Sequence, residues 1–227
     1  LSAQSASISR IFSEVFAPCQ RSIDAVQHPQ AFQLAVTTPL GTYPIIQHAL
    51  LSLQMLLGSS DVLSIGRLLR SPFFKGYDQE ASQRALLELK VREDRRERWT
   101  ADQFQRFSDQ WSCVQLAACL QDAINIQRAL PKRVAPSEWA DCFIKLLKSC
   151  GWSQGRGLDS HEHQALEKFQ SVMAEFGTLD EMLTPVDASK ALSILRSLCF
   201  KVSFSPESID QPVTIIDADG ITGMTFD

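Results

Sequence analysis

The side chains of this chain that can do chemistry are few and loosely grouped. His161-Glu162-His163 is the one place where two of the four histidines stand close together. On a helix, residues two apart point about 200° from each other, so this pair cannot easily share a metal ion. The plainer reading is a helix N-terminus with a favourable glutamate in its first turn. His28 and His48 stand apart, and no Ser/His/Asp or Cys/His set assembles around them. Asp217 and Asp219 would share a face if they lay on a strand, as metal-binding carboxylates do. Without a third acidic partner or a nearby lysine, they read more simply as loop residues. Neither a GxGxxG nor a Walker loop is present to cradle a nucleotide phosphate. No catalytic residue, metal or cofactor is therefore expected, and no ATP hydrolysis.

Charge offers more. Lys90-Val91-Arg92-Glu93-Asp94-Arg95-Arg96-Glu97-Arg98 is followed by Trp99. Arg92, Arg95, Arg96 and Arg98 can contact phosphates while Trp99 stacks a base. Glu88, Glu93, Asp94 and Glu97 interleave with them, and glutamate–arginine pairs at helical spacing also make an ordinary solvated face. A second basic group, Arg67, Arg70 and Lys75, flanks Ser71-Pro72-Phe73-Phe74, where the two phenylalanines look exposed.

The elements that would position these groups read as helix after helix. Ser5 to Phe16 carries Ile8, Ile11, Phe12, Val15 and Phe16 on one face and stops at Pro18. A polar stretch with Pro29 and then Ala31 to Val36 leads into the turn Thr37-Thr38-Pro39-Leu40-Gly41. Tyr43 to Leu57 is apolar and ends at Gly58. Ser60 can cap a helix reaching Arg70, and Ser71-Pro72 ends it. Asp78 to Arg98 is a charged helical stretch. Thr100 caps a long pattern through Phe104, Phe107, Trp111, Val114 and Ala118. Ser137 opens a helix with Trp139, Phe143, Leu146 and Cys150 facing one way, ended by Gly151. Ser160 opens another through Leu166, Phe169, Met173 and Phe176, ended by Gly177. Asp187 caps the last, through Leu192, Leu195 and Cys199. Only Val213 to Asp217, and a weaker segment at Met224 to Asp227, read as strand, and their partner strands are expected outside this chain. The fold class expected is mainly α with a short β segment at the C-terminus.

Composition bounds the rest. With 227 residues, 44% hydrophobic, 21% charged and a net charge of −4, this is an ordinary globular composition, neither disordered nor membrane-spanning. The longest apolar candidate, Ile45 to Leu57, is interrupted by Gln47, His48, Ser52 and Gln54, short of the ~20 residues a span needs. The acidic total argues against a general polyanion sponge but leaves room for local basic patches. Six cysteines without a CxxC pair sit mostly among apolar residues, as reduced thiols do in a cytoplasm. The first residue is not Met, and Thr225-Phe226-Asp227 closes the chain soon after a strand begins, which suggests an excised internal segment.

Three stretches, in order, resemble one family. Phe32-Gln33-Leu34-Ala35-Val36-Thr37-Thr38-Pro39-Leu40-Gly41-Thr42-Tyr43-Pro44 is similar to the F-x-L-x-x-G-x-P-L-x-x-Y-P entry of a group of bacterial DNA-repair proteins. Leu68-Leu69-Arg70-Ser71-Pro72-Phe73-Phe74 resembles their L-L-R-S-P-F segment, which also occurs in the accessory domain of UvrD/RecB-type superfamily 1 helicases. Gly151-Trp152 and Asp159-Ser160-His161-Glu162-His163-Gln164-Ala165-Leu166 resemble the G-W … D-S-x-E-x-Q-A stretch that follows. In active relatives a strand reading roughly V-x-L-M-T-I-H-K-x-K-G-L-E-F-D returns the chain to the motor. Here the run from Val213 to Asp227 keeps Val213, Gly223, Phe226 and Asp227. Asp219 stands at the histidine, and Gly220 and Thr222 stand at the lysines. With Asp217 these positions form a degenerate helicase motif, as in the inactivated relatives resembling AddB and RecC.

The resemblance implies a helical accessory domain over residues 1–210 and, over 211–227, the start of a strand into a decayed motor lobe. It implies a parent protein with a RecB-family nuclease further downstream. Two roles follow for this chain. One is a non-catalytic DNA-binding or scaffold region, cytoplasmic, gripping single-stranded or forked DNA through Arg67, Arg70, Lys75, Arg92, Arg95, Arg96 and Arg98, with Trp99, Phe73 or Phe74 as stacking groups. The other is a docking module that holds a helicase–nuclease partner subunit without touching DNA. Convergence of those cations on one surface would separate the two.

Overall fold

In the computed structural model, residues 37–206 are described, together with the segments 32–35 and 213–216 and the helical positions Ile11, Phe12 and Val15. The chain divides into two compact units, Pro39–Val202 on one hand and Leu1–Thr38 with Ser203–Asp227 on the other. The sequence suggested one division near residue 210. What it missed is that the two ends of the chain belong together. Strand β1 (Phe32–Ala35) pairs in parallel with the later strand Val213–Ile216, Phe32 opposite Val213 and Ala35 opposite Ile216. Residues 32–35 therefore do not continue the helical succession, and the partner of the C-terminal strand lies within this chain. Gln-flanked short apolar runs of this kind fit either element by periodicity alone.

The Pro39–Val202 unit is mainly α. Among the described residues it holds eight helices: α1 (Pro44–Leu57), α2 (Val62–Leu69), α3 (Tyr77–Glu93), α4 (Ala101–Gln110), α5 (Val114–Arg128), α6 (Pro136–Ser149), α7 (Ser160–Gly177) and α8 (Ala188–Lys201). Helix α1 is the centre. Pro44 sits at its first turn, where a missing N–H costs nothing. Ile45, Ile46, Ala49, Leu50, Leu53, Met55 and Leu56 are all buried, so it is apolar nearly all round and packs against α2, α5, α6, α7 and α8.

A second layer of the core is aromatic. Trp139 stacks on Phe143 at 5.6 Å, and Phe143 on Phe176 at 6.1 Å, joining α6 to α7. The indole N–H of Trp139 donates to the Val186 carbonyl at 2.9 Å, and that of Trp152 to the Ile45 carbonyl at 3.0 Å, so both buried indoles keep a partner.

Helix ends follow the local chemistry. Asp61, one residue after the expected Ser60, caps α2 by accepting the Ser64 amide at 2.8 Å. Thr100 and Gln103 close a capping box on α4, and Asp159 and Glu162 close one on α7. Asp187 caps α8 by accepting the Lys190 amide at 2.9 Å.

Two expected helices are shorter than their patterns. The charged stretch leaves helical geometry at Asp94 and re-emerges as strand β3 (Arg98–Thr100), antiparallel to β2 (Ser59–Asp61). The long pattern from Thr100 to Ala118 is two helices, broken at Ser112, whose φ is +61°. In both cases the heptad-like spacing is real on either side of the break, and tertiary packing decides where the axis turns.

Candidate nucleic-acid interface

Glu88, on α3, gathers two of the expected arginines. Arg70, at the C-terminal end of α2, pairs with its carboxylate, and Arg92, one turn further along α3, reaches the same Oε1 at 2.5 Å. The glutamate side chain is mostly enclosed, whereas both guanidiniums stay more than half exposed. One carboxylate facing two guanidiniums leaves the cluster with net positive charge. Arg67, one step of three back along α2, is exposed and has no carboxylate partner among the described residues.

The other members of the predicted set scatter. Arg96 pairs with Asp94 at 3.1 Å and lays its guanidinium 4.3 Å over the Trp99 ring. Arg98 donates to the Ser59 hydroxyl at 2.8 Å and to the Ser59 carbonyl at 2.7 Å, so it braces the β2–β3 ribbon. Arg95 is exposed and makes no ion pair among the described residues. Lys75 is exposed elsewhere, its backbone amide bonded to the Gly151 carbonyl at 3.0 Å. Arg70 and Arg92 thus come together on Glu88, while Arg67 stands one turn earlier on α2 and Lys75 is not joined to them.

The expected stacking groups are corrected by the structure. Trp99 is fully buried, packed against Phe107 at a ring distance of 4.9 Å, and cannot meet a base. An aromatic in the middle of a three-residue strand whose neighbours point outward must point inward. Phe73 and Phe74 are buried too. The loop after α6 covers them: Gly155 and Arg156 donate to the carbonyls of Phe73 and Pro72, both at 3.2 Å. A Cβ at Gly155 would lie 2.1 Å from the Pro72 carbonyl oxygen, so only glycine lets these backbones approach.

His161-Glu162-His163 forms the first turn of α7. Glu162 serves the capping box and pairs with Arg156 at 2.5 Å, and His163 lies 3.5 Å from Glu167. Among the described residues no group of three His, Cys, Asp or Glu is placed to hold a metal ion, and no helix is long and apolar enough to cross a membrane. Asp217, Asp219, Gly220, Thr222 and Gly223, the degenerate helicase motif, lie outside the described residues.

One grouping was not read from the sequence. Arg67 of α2 and Arg196 of α8 line a cleft of about 190 Å³ with Gln47, Leu50, Leu51 and Phe200. Arg196 donates to the Gln54 side-chain oxygen at 3.2 Å and, like Arg67, makes no ion pair among the described residues. The signal was there, since Arg196 and Phe200 stand four apart and so share a helix face.

None of the protein-family models, curated proteins or solved structures with which the chain was compared matches it.

Proposed function

We propose that this chain is a non-catalytic DNA-contacting region of a DNA repair and recombination protein of the inactivated helicase kind. The observation that carries the reading is the exposed arginine pair Arg70 and Arg92, drawn from two helices and only partly neutralised by Glu88, with Arg67 exposed one turn earlier on α2. Arg95 extends the exposed positive charge at the C-terminal end of α3. In a chain with net charge −4, such a local excess favours a polyanionic strand over general adhesion. The three motif stretches supply the repair context as a resemblance. With Trp99, Phe73 and Phe74 buried, grip on this surface is electrostatic.

A docking role is the second reading, favoured by a different observation. Leu86 and Leu89, three apart on α3, are 55% and 49% exposed, and Leu63 on α2 is 71% exposed. Apolar side chains of this size at the surface suit a partner protein.

Fluorescence anisotropy of labelled single-stranded, duplex and forked DNA, titrated with the chain across a salt series, tests the reading. Binding that weakens steeply with salt, and weakens again in Arg70→Ala with Arg92→Ala, supports DNA contact. Absence of binding at low salt overturns it and leaves the docking role.

A further inference from the structure

We infer that the Arg67–Arg196 cleft is a phosphate subsite for single-stranded nucleic acid, with Phe200 as the platform for the adjoining base. This rests on the DNA-contact reading and goes beyond it by naming the site that holds the strand.

Three features carry the inference. First, the two cations converge from separate elements, α2 and α8, on one cleft with no carboxylate in its lining. Every other exposed arginine of the expected group except Arg95 is committed to an acidic side chain or to the backbone. An uncompensated guanidinium pair on an acidic protein calls for an anion, and guanidinium forks match the oxygens of phosphate.

Second, size limits the occupant. A volume near 190 Å³ is below the ~300 Å³ at which sites for whole small molecules begin. The cleft accommodates a compact anion such as a phosphate group, while the attached nucleoside must lie outside it.

Third, an aromatic ring stands at the rim. Phe200 is 42% exposed, where the seam of α8 otherwise buries Leu195 and Cys199. Its ring edge rests on Gly41: a Cβ there would fall 2.8 Å from the Phe200 Cδ2 and Cε2 atoms. Glycine at 41 lets the ring lie down beside the cleft. A ring placed this way, next to two cations, has the layout of a stacking platform with an electrostatic anchor.

The test uses the whole chain, labelled oligothymidylate, and an abasic sugar–phosphate analogue of the same length. Arg67→Ala and Arg196→Ala are each expected to weaken both probes and to lower the salt slope by about 1. Phe200→Ala is expected to weaken oligothymidylate by roughly 5- to 150-fold, the range for one stacked base, and to leave the abasic probe unchanged. Circular dichroism of each variant confirms that it is folded. If the parent chain binds oligothymidylate and all three variants bind it equally well, the subsite is overturned while the DNA-contact reading stands. If the parent binds neither probe, both fail together. If Phe200→Ala weakens both probes alike, the ring is a support for the cleft and the base platform is overturned.

Discussion

Arg84 donates to the Glu80 carboxylate at 3.1 Å from one turn along α3, and both side chains are buried. The same carboxylate accepts the Gln115 amide at 2.5 Å and the Leu116 amide at 3.2 Å, so it caps α5 from another helix. Arg84 also donates to the Lys75 carbonyl at 2.8 Å. The pair therefore ties α3, α5 and the loop after α2 to one point. Removing Arg84 leaves a buried carboxylate without its counter-charge. Arg84→Ala is expected to cost about 3–5 kcal/mol of stability. Urea denaturation measures this, and a loss below 1 kcal/mol would show that the pair is dispensable (roughly the level of an exposed ion pair).

Glu88 restrains the basic cluster. Glu88→Gln removes the one carboxylate that Arg70 and Arg92 share. DNA affinity at low salt is expected to rise several-fold and the salt slope to steepen by about 1, because another cation becomes available to a phosphate. Anisotropy across the salt series gives both numbers. An affinity that falls would mean that Glu88 holds the arginines in their binding arrangement.

His48 is held low in pKa, at about 4, first by burial and then by the Arg67 charge. The folded protein thus binds this proton less readily than the unfolded chain. The stability it contributes is present above pH 6.5 and is lost as pH falls toward 4. Arg67→Ala is expected to raise the His48 pKa, read by NMR titration of the imidazole. An unchanged value would place the whole effect in burial.

Burial pushes the thiols of Cys150 and Cys199 up to about 12 and that of Cys113 to about 11. Their folded pKa values lie above those of the unfolded chain, so the stability they contribute is complete below about pH 9 and is lost as pH rises toward 12. Alkylation of these three cysteines at pH 8 is expected to be far slower in the folded chain than in urea. Equal rates would show that the core opens readily.

Much of the helical fold was legible because its signals are local. The Trp139-Phe143-Leu146-Cys150 spacing, the Asp187 cap and the Glu162 first turn each depend on neighbours within a few residues. The pairing of Phe32–Ala35 with Val213–Ile216 was not legible, since nothing in a four-residue apolar run names a partner some 180 positions away. The same limit explains Trp99. Its charged neighbours read as an exposed helix, but the strand pairing with Ser59–Asp61 sets its direction. Of the site, the arginines were visible as types. Which of them Glu88 shares, and which meet Arg196, depends on the packing of α2 against α3 and on the cleft it forms with α8.

The salt dependence of single-strand binding decides whether this chain grips DNA through its phosphates. For labelled oligothymidylate, log Kobs is expected to fall linearly with log salt, with a slope of about −2 or steeper, as three or more neutralised phosphates at roughly 0.7 each require. Binding that is independent of salt, or no binding at about 50 mM salt, would contradict that grip.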